Sequence, residues 1–149
     1  MQFMNQGRQG VLAAPDCGTT GLGTCVGLAV NMGDLQWTIA HIDSDSAVRR
    51  NGDACYQAVT NWVVQQLQAL NLPATAQVFV VYTSLGDFST RAIVDGIDEY
   101  FTNTTALVGS DGFYINAAGT AVPYVGSLGN NNNGDGPFSV PLLPACQYQ

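Results

Sequence analysis

The chain has 149 residues, of which 46% are hydrophobic and only 10% are charged, with four arginines, no lysine and a formal net charge of -7. Four scattered arginines cannot form the basic face that neutralises phosphates, which excludes a nucleic-acid binder. The sequence contains no apolar run of about 20 residues, so no membrane span is predicted. We therefore expect a single domain over residues 1–149, with neither a nucleic-acid partner nor membrane insertion. Arg49 and Arg50 are predicted to be solvated loop residues.

The start of the chain lacks the apolar stretch of about 7–15 residues that marks a secretory signal. This predicts a cytoplasmic protein, or one exported without a cleavable signal peptide. Without such a signal, we expect the cysteines to be reduced. They form no Cys-x-x-Cys pair, and the chain has a single histidine, so a structural zinc site is not expected. The four cysteines are Cys17, Cys25, Cys55 and Cys146.

The N-terminal third is predicted to contain a short strand, a glycine-rich turn and a hairpin. Val11–Ala14 is short and apolar, which indicates a strand, and Pro15–Gly18 has the composition of a turn. The glycine-rich segment 19–25 follows. The apolar run Val26–Val30 and the return strand Leu35–Ile42 then flank a turn of asparagine, glycine and aspartate, which predicts a hairpin.

Two helices are predicted in the middle of the chain. Residues 53–70 form the clearer one, with Asp53 as its expected N-cap and Pro73 beyond its end. Ser89 is expected to cap the second helix. Apolar residues in both recur at intervals of three and four, which predicts one buried face on each helix. These residues are Cys55, Val59, Trp62, Val63, Leu67 and Leu70 in the first, and Ile93, Ile97 and Phe101 in the second.

The remaining elements are predicted to be strands and one loop. Val78–Tyr82 is apolar throughout, which indicates a strand covered on both faces, and Ala106–Gly109 is predicted to be another strand. Phe113–Ile115 and Ala121–Val125 flank a turn and predict a hairpin, whereas residues 130–137 are a low-complexity loop. This order predicts an α/β (α+β) sandwich with a mixed, largely antiparallel sheet and two main helices.

The strongest chemical signal is Cys25, which follows the turn Gly21-Leu22-Gly23-Thr24. Glycines let the backbone bend sharply, so that N–H groups near Gly23 and Thr24 can converge on a developing oxyanion. His41 ends the return strand of the same hairpin. The hairpin is expected to place its imidazole beside the sulfur, which would give the thiolate–imidazolium pair of a cysteine nucleophile.

Three residues are candidates for orienting the His41 ring. Asp43 lies two residues further and would face the same side of a continuing strand. Thr19 and Thr20 offer hydroxyls on the near side of the glycine-rich turn. A purely structural interpretation competes with the catalytic one, because a free cysteine is often a small buried hydrophobe and a lone histidine is often a surface or satisfied core residue.

Residues 19–28 resemble the nucleophile motif of the bacterial chemoreceptor glutamine deamidases, the CheD family, in which a threonine precedes Leu-Gly-Leu-Gly-Ser-Cys-Val. Residues 39–42 resemble the strand that ends in that family's catalytic histidine. The helix 53–70, the strand 78–83 and the hairpin 113–125 fall where the family has such elements. Cytotoxic necrotizing factor-type deamidase toxins and protein N-terminal asparagine amidohydrolases are more distantly similar.

The resemblance implies a CheD-like fold in which Cys25 is the nucleophile, His41 the general base and Thr19 the third member of the site. It implies hydrolysis of a glutamine carboxamide in a partner protein to glutamate and ammonia. No metal or organic cofactor is expected for this reaction. No oligomeric state follows from it.

Some features depart from the family and leave alternatives open. Residues 84–87 stand where the family has a Gly-Gly pair, and the family is rich in lysine and glutamate. A chain without lysine offers no side-chain ubiquitination sites in a host cell, which would suit an exported effector or toxin. Two alternatives keep the same chemistry: a chemoreceptor deamidase in chemotaxis, and an N-terminal Asn/Gln amidohydrolase that recognises an α-amino group through Asp43 or Asp16. Two others are not enzymes of this kind: an inactive binding module, and a disulfide-bonded secreted protein with Cys17 and Cys146 paired.

Overall fold

The computed structural model describes residues 1–43, 52–126 and 132–147, which form an α+β protein. Two α-helices pack on one face of a six-stranded sheet, and a four-stranded sheet covers the other face. The predicted two main helices and mixed, largely antiparallel strands are confirmed. The prediction of one sheet is wrong, because the strands divide between two. Arg49 and Arg50 lie outside the described residues.

The elements follow one another along the chain with short connections. In chain order they are β1 (Gln2–Met4), β2 (Arg8–Ala13), β3 (Cys17–Thr19), β4 (Val26–Gly33), β5 (Gln36–Ile42), α1 (Asp53–Ala69), β6 (Val78–Tyr82), α2 (Phe88–Tyr100), β7 (Thr104–Val108), β8 (Phe113–Ile115), β9 (Ala121–Pro123), β10 (Gly136–Pro137) and a closing 3₁₀-helix (Pro144–Cys146). The large sheet has the order β10-β2-β5-β4-β6-β7, and the small sheet has the order β1-β3-β8-β9.

The predicted hairpin of β4 and β5 lies at the centre of the large sheet. Successive residues of β4 point to opposite faces, as the pleat of a strand requires. Val26, Leu28 and Val30 pack in the helix-side core, whereas Ala29 packs between the two sheets. Both faces of β4 are therefore covered, which explains its unbroken apolar run.

The strand β6 is buried along its whole length, as predicted. It pairs antiparallel with β4 and parallel with β7, and α2 makes the crossover between these two parallel strands. The strand predicted at 106–109 begins two residues earlier, at Thr104, because Thr104 already pairs with Val78, the first residue of β6.

The small sheet contains two strands that the sequence pattern did not predict, β1 and β3. The turn predicted at Pro15–Gly18 is wrong in its second half, because Cys17-Gly18-Thr19 pairs with β1 on one side and β8 on the other. A Cβ atom on Gly18 would lie 1.9 Å from the carbonyl oxygen of Phe113, so glycine permits this close pairing. The predicted hairpin of β8 and β9 is confirmed.

Both predicted helix caps are wrong by one or two residues. Gly52 is the N-cap of α1, and Asp53 is the first helical residue. Asp87 is the N-cap of α2, where its carboxylate accepts hydrogen bonds from the backbone N–H groups of Ser89 and Thr90. Ser89 itself lies inside the first turn of α2, so its backbone is helical and not extended as a cap requires.

The C-terminal segment is anchored by a disulfide between Cys55 of α1 and Cys146 of the closing 3₁₀-helix. The expectation that all cysteines are reduced is therefore wrong, as is the alternative pairing of Cys17 with Cys146. Cys17 is a free thiol buried between the two sheets, far from the helix side where Cys146 packs.

Part of the predicted loop 130–137 forms β10, which pairs with β2. No helix among the described residues is long and apolar enough to cross a membrane.

Candidate active site

The predicted site residues meet at the open end of the β4–β5 hairpin, on the face toward the small sheet. Gly27 pairs with His41, and continuing this register by two residues places Cys25 across from Asp43. Cross-strand partners point to the same face, and diagonal neighbours have Cβ atoms about 7 Å apart. Cys25 and His41 are such diagonal neighbours, separated by a glycine that has no side chain.

The ring of His41 is oriented by Thr19 from the small sheet. The Thr19 hydroxyl donates to the carbonyl oxygen of Met4 in β1 at 2.8 Å, and its oxygen lies 2.9 Å from His41 Nδ1. A hydroxyl has one hydrogen, so Thr19 accepts the second hydrogen bond and Nδ1 carries the ring proton. The lone pair of the imidazole is therefore on Nε2.

This Nε2 atom is buried and has no hydrogen-bond partner among the described residues. His41 is only 1% exposed, and burial lowers its pKa from 6.5 to about 4, although the charges of Asp43 and Asp111 act in the opposite direction. At neutral pH the imidazole is thus uncharged and can accept a proton through Nε2. A neutral base with an unused lone pair is the form that general-base catalysis requires.

The buried neutral His41 predicts that the protein loses stability in acid. The unfolded state binds a proton as the pH falls through 6.5, whereas the folded state resists protonation until about pH 4. The free energy of unfolding should therefore be unaffected by this group above pH 6.5 and fall by about 3 kcal/mol between there and pH 4. Urea unfolding across this range measures the loss. The His41→Gln variant should lack this part of the dependence, and identical pH profiles for the two proteins would contradict the assignment.

Cys25 is 6% exposed, and its sulfur contacts Asp43. The thiol donates to Asp43 Oδ1 at 3.4 Å, while Gln6 Nε2 donates to Asp43 Oδ2 at 3.3 Å. The sequence predicts Asp43 as one of three groups that could orient His41. The structure places its carboxylate at the sulfur instead, because the Nδ1 position of the ring is taken by Thr19.

The backbone of Asp43 is held by the C-terminal segment. Its N–H donates to the carbonyl oxygen of Phe138 at 3.1 Å, and its carbonyl oxygen accepts from the N–H of Val140 at 2.9 Å. Phe138 and Val140 are buried in the helix-side core, and the disulfide at Cys146 follows shortly after them. The position of the carboxylate beside the sulfur thus depends on this segment.

The glycine-rich turn before Cys25 adopts backbone conformations that favour glycine, with φ of +70° at Gly21 and +52° at Gly23. The Gly23 N–H donates to Asp111 Oδ1 at 2.7 Å, and the Cys25 N–H donates to the carbonyl oxygen of Leu22. Both N–H groups are therefore engaged in this arrangement, and the oxyanion role expected of the N–H groups near Gly23 and Thr24 stays a prediction. Gly23 can serve only after Asp111 releases it.

Two further contacts fix the turn against the rest of the large sheet and α2. The carbonyl oxygen of Gly23 accepts from the Thr83 hydroxyl at 2.8 Å, and that of Thr24 accepts from the Thr90 hydroxyl at 2.6 Å. Thr20, the other hydroxyl predicted as a candidate for orienting His41, is buried against Gly112. A strand, β4, follows Cys25, so the sulfur does not lie at the N-terminus of its own helix.

Residues outside the predicted set also shape the site. Gly27 lies opposite His41, and a Cβ atom there would be 2.8 Å from the ring of Phe113, so glycine allows this ring to pack between the sheets. Asp111 lies in the loop before β8. No sequence pattern links Asp111 or Phe113 to the segment around Cys25. Asp111 contacts Gly23 and the Phe113 ring lies at Gly27, and both neighbours are far apart along the chain.

Other reactive groups are less suited to chemistry. Burial raises the pKa of Cys17 to about 11, which makes its thiol unreactive at neutral pH. The described residues contain no group of three histidine, cysteine, aspartate or glutamate side chains that could hold a metal ion.

No protein-family model matches the chain, and no curated protein matches it either.

Proposed function

We propose that this protein is a cysteine-dependent protein glutamine deamidase with a CheD-like fold, which hydrolyses the side-chain carboxamide of a glutamine in a partner protein. The observation that carries the proposal is the state of His41. Its Nδ1–H is bonded to Thr19, and Nε2 is buried, has no hydrogen-bond partner within residues 1–43, 52–126 and 132–147, and lies on the face that holds Cys25. The resemblance of residues 19–42 to the CheD motif supports the same three roles.

In the first half of the reaction, the Cys25 sulfur attacks the amide carbon of the glutamine and its proton passes to His41 Nε2. The tetrahedral intermediate then collapses as the carbon–nitrogen bond breaks. His41 returns the proton to the departing nitrogen, and ammonia leaves. The product of this half is a thioester between Cys25 and the substrate.

In the second half, His41 takes a proton from water, and the resulting hydroxide attacks the thioester carbon. The carbon–sulfur bond breaks, and the proton on Nε2 returns to the Cys25 sulfur. The glutamine has become a glutamate, so the partner gains one negative charge at that position. All proton transfers use groups of this chain and water.

We infer a neutral thiol and a neutral imidazole in the resting protein, rather than the thiolate–imidazolium pair expected from the sequence. Burial disfavours the imidazolium, as the lowered pKa of His41 indicates, and the Asp43 carboxylate accepts the thiol hydrogen. A carboxylate beside sulfur also repels a thiolate. Proton transfer to His41 therefore accompanies attack on the substrate.

The disulfide bears on where the protein acts. Structural disulfides persist in oxidising compartments and are rare in the cytosol, so the Cys55–Cys146 bond favours an exported effector or toxin over a cytoplasmic chemoreceptor deamidase. The absence of lysine is consistent with such a role in a host cell.

The experiment that tests the proposal measures ammonia release and the amide-to-acid mass change on glutamine-containing peptides and on casein. Hydroxylamine should divert the thioester to a hydroxamate. In parallel, iodoacetamide should label Cys25 faster in the wild-type protein than in His41→Ala, while Cys17 stays unlabelled in both. Absence of ammonia, together with equal and slow labelling of Cys25 in both proteins, would reject the enzyme and favour an inactive binding module.

A further inference from the structure

The glycine-rich turn that leads to Cys25 is held by hydrogen bonds more than by packing. Gly21, Gly23 and Thr24 are exposed, whereas Leu22 is buried. A Cβ atom added to either glycine would meet no atom within 4 Å beyond the adjacent residues. A backbone segment with so few packed neighbours depends on polar contacts for its conformation. The groups that make these contacts therefore decide where the sulfur lies.

Two threonine hydroxyls hold the last two peptide units before the sulfur. The carbonyl oxygen of Gly23 accepts from the Thr83 hydroxyl at 2.8 Å, and the carbonyl oxygen of Thr24 accepts from the Thr90 hydroxyl at 2.6 Å. Thr83 follows β6, and Thr90 belongs to α2. Each pair is far apart along the chain, by 60 and 66 positions. A strand end and a helix therefore fix the turn from outside.

The Thr90 contact acts on the peptide unit that carries the Cys25 nitrogen. A trans peptide is planar, and its C=O and N–H groups point in opposite directions. Fixing the Thr24 carbonyl therefore also fixes the direction of the Cys25 N–H and the position of the Cys25 Cα atom. The sulfur is joined to Cα through a single rotatable bond, Cα–Cβ, with three staggered positions. Its placement toward His41 thus depends on this peptide unit.

Thr90 is placed so that its hydroxyl is available to the turn. It is the third residue of α2 and is 1% exposed. Its backbone N–H donates to the capping Asp87 carboxylate at 3.2 Å. The hydroxyl has one hydrogen, which goes to the Thr24 carbonyl oxygen at 2.6 Å, because Asp87 Oδ2 is 3.5 Å away. A valine here would fill the same volume and leave no space for a water molecule in place of the hydroxyl.

We propose that Thr90 is a positioning residue for the attack by Cys25, and that its hydroxyl sets the placement of the sulfur relative to His41 Nε2. This inference rests on the proposed deamidase function and adds to it a residue that touches neither the substrate nor the reacting atoms. Reacting groups must lie within about 0.5 Å of the productive geometry, and a displacement of about 1 Å costs about 100-fold in rate. Loss of one anchoring hydrogen bond should move the sulfur by less than this, so we expect a loss of about tenfold.

The first test compares kcat and KM for deamidation of a glutamine peptide in three variants. Thr90→Val keeps the shape of the side chain without its hydroxyl, and kcat should fall about tenfold with little change in KM. Thr90→Ser keeps the hydroxyl and should restore kcat to within about threefold of the wild-type value. Thr60→Val is the matched control and should keep the wild-type kcat. Thr60 is 4% exposed, and its hydroxyl donates to the carbonyl oxygen of Ala92, also in α2, at 2.9 Å.

This set of variants separates positioning from stability. Thr90→Val and Thr60→Val each lose one hydrogen bond of a buried threonine, so their urea midpoints should fall by similar amounts. Should valine prevent folding, Thr90→Ala and Thr60→Ala give the same comparison. Equal kcat at the two positions, or a loss in Thr90→Val that Thr90→Ser does not restore, would overturn the inference and leave the proposed function intact.

A second test does not require deamidation. Cys25 labelling by iodoacetamide is measured with and without His41→Ala, and the ratio of the two rates reports how far the imidazole assists the sulfur. This ratio should fall toward one in Thr90→Val and stay at the wild-type value in Thr60→Val, because only Thr90 couples to this pair. An unchanged ratio in Thr90→Val would overturn this inference alone. A ratio of one already in the wild-type protein would reject the proposed function together with it.

Discussion

Replacing Cys25 by alanine is expected to lower glutamine deamidation by at least about 10³-fold while the protein still folds. The sulfur is the atom that attacks the carboxamide, and no other described thiol can replace it, because Cys17 is buried between the sheets. Alanine removes one atom at the edge of the core, so the cost in stability should stay near about 1 kcal/mol. Ammonia release by purified variants measures the effect.

The matched control is Cys17→Ala, which removes the other free cysteine and should keep the activity. His41→Gln should lose activity to a similar extent as Cys25→Ala, and the double variant should be no worse than either, because a nucleophile and its base act as one unit. Comparable ammonia release by Cys25→Ala and the wild-type protein would show that the sulfur is not the nucleophile.

Reducing the Cys55–Cys146 disulfide is expected to lower the free energy of unfolding by about 4 kcal/mol. The bond joins residues 91 positions apart, and closing a loop of this length removes much of the conformational entropy of the unfolded chain. It also holds the segment whose Phe138 packs edge-to-face on Trp62 in the helix-side core. Urea unfolding with and without dithiothreitol measures the loss.

The variant Cys55→Ser/Cys146→Ser should match the reduced wild-type protein and should not respond to dithiothreitol. Reduction should also weaken activity, because the same segment holds the backbone of Asp43 through Phe138 and Val140. An unfolding midpoint that dithiothreitol leaves unchanged in the wild-type protein would contradict a stabilising disulfide.

Elements with a strong local pattern could be predicted from the sequence. The 3.6-residue periodicity over 53–70 identifies α1. The apolar run and the return strand on either side of an Asn-Met-Gly-Asp turn identify the β4–β5 hairpin, which brings Cys25 and His41 to one end of two paired strands. The glycine-rich turn before the cysteine is likewise a local feature. The nucleophile and base candidates therefore follow from short-range order alone.

The second sheet could not be predicted in this way. The strands β1 and β3 are three residues long, too short to show a period, and they form because β8 and β1 offer hydrogen bonds on both sides of Cys17-Gly18-Thr19. Partners distant in sequence decide such strands. The cap of α2, by contrast, is a local feature, because the Asp87 carboxylate accepts from the N–H groups of Ser89 and Thr90.

The sequence by itself determined the two helices, the central hairpin and the placement of Cys25 and His41 at one end of that hairpin, because each depends on local patterns along the chain. Only the tertiary structure decided that Thr19 rather than Asp43 contacts the imidazole, that Asp43 contacts the sulfur while Asp111 contacts the Gly23 N–H, and that Cys55 is bonded to Cys146. These contacts join residues that the packing of two sheets and a C-terminal segment brings together. Hydrogen bonds and desolvation act over a few ångströms in space, whatever the separation along the chain.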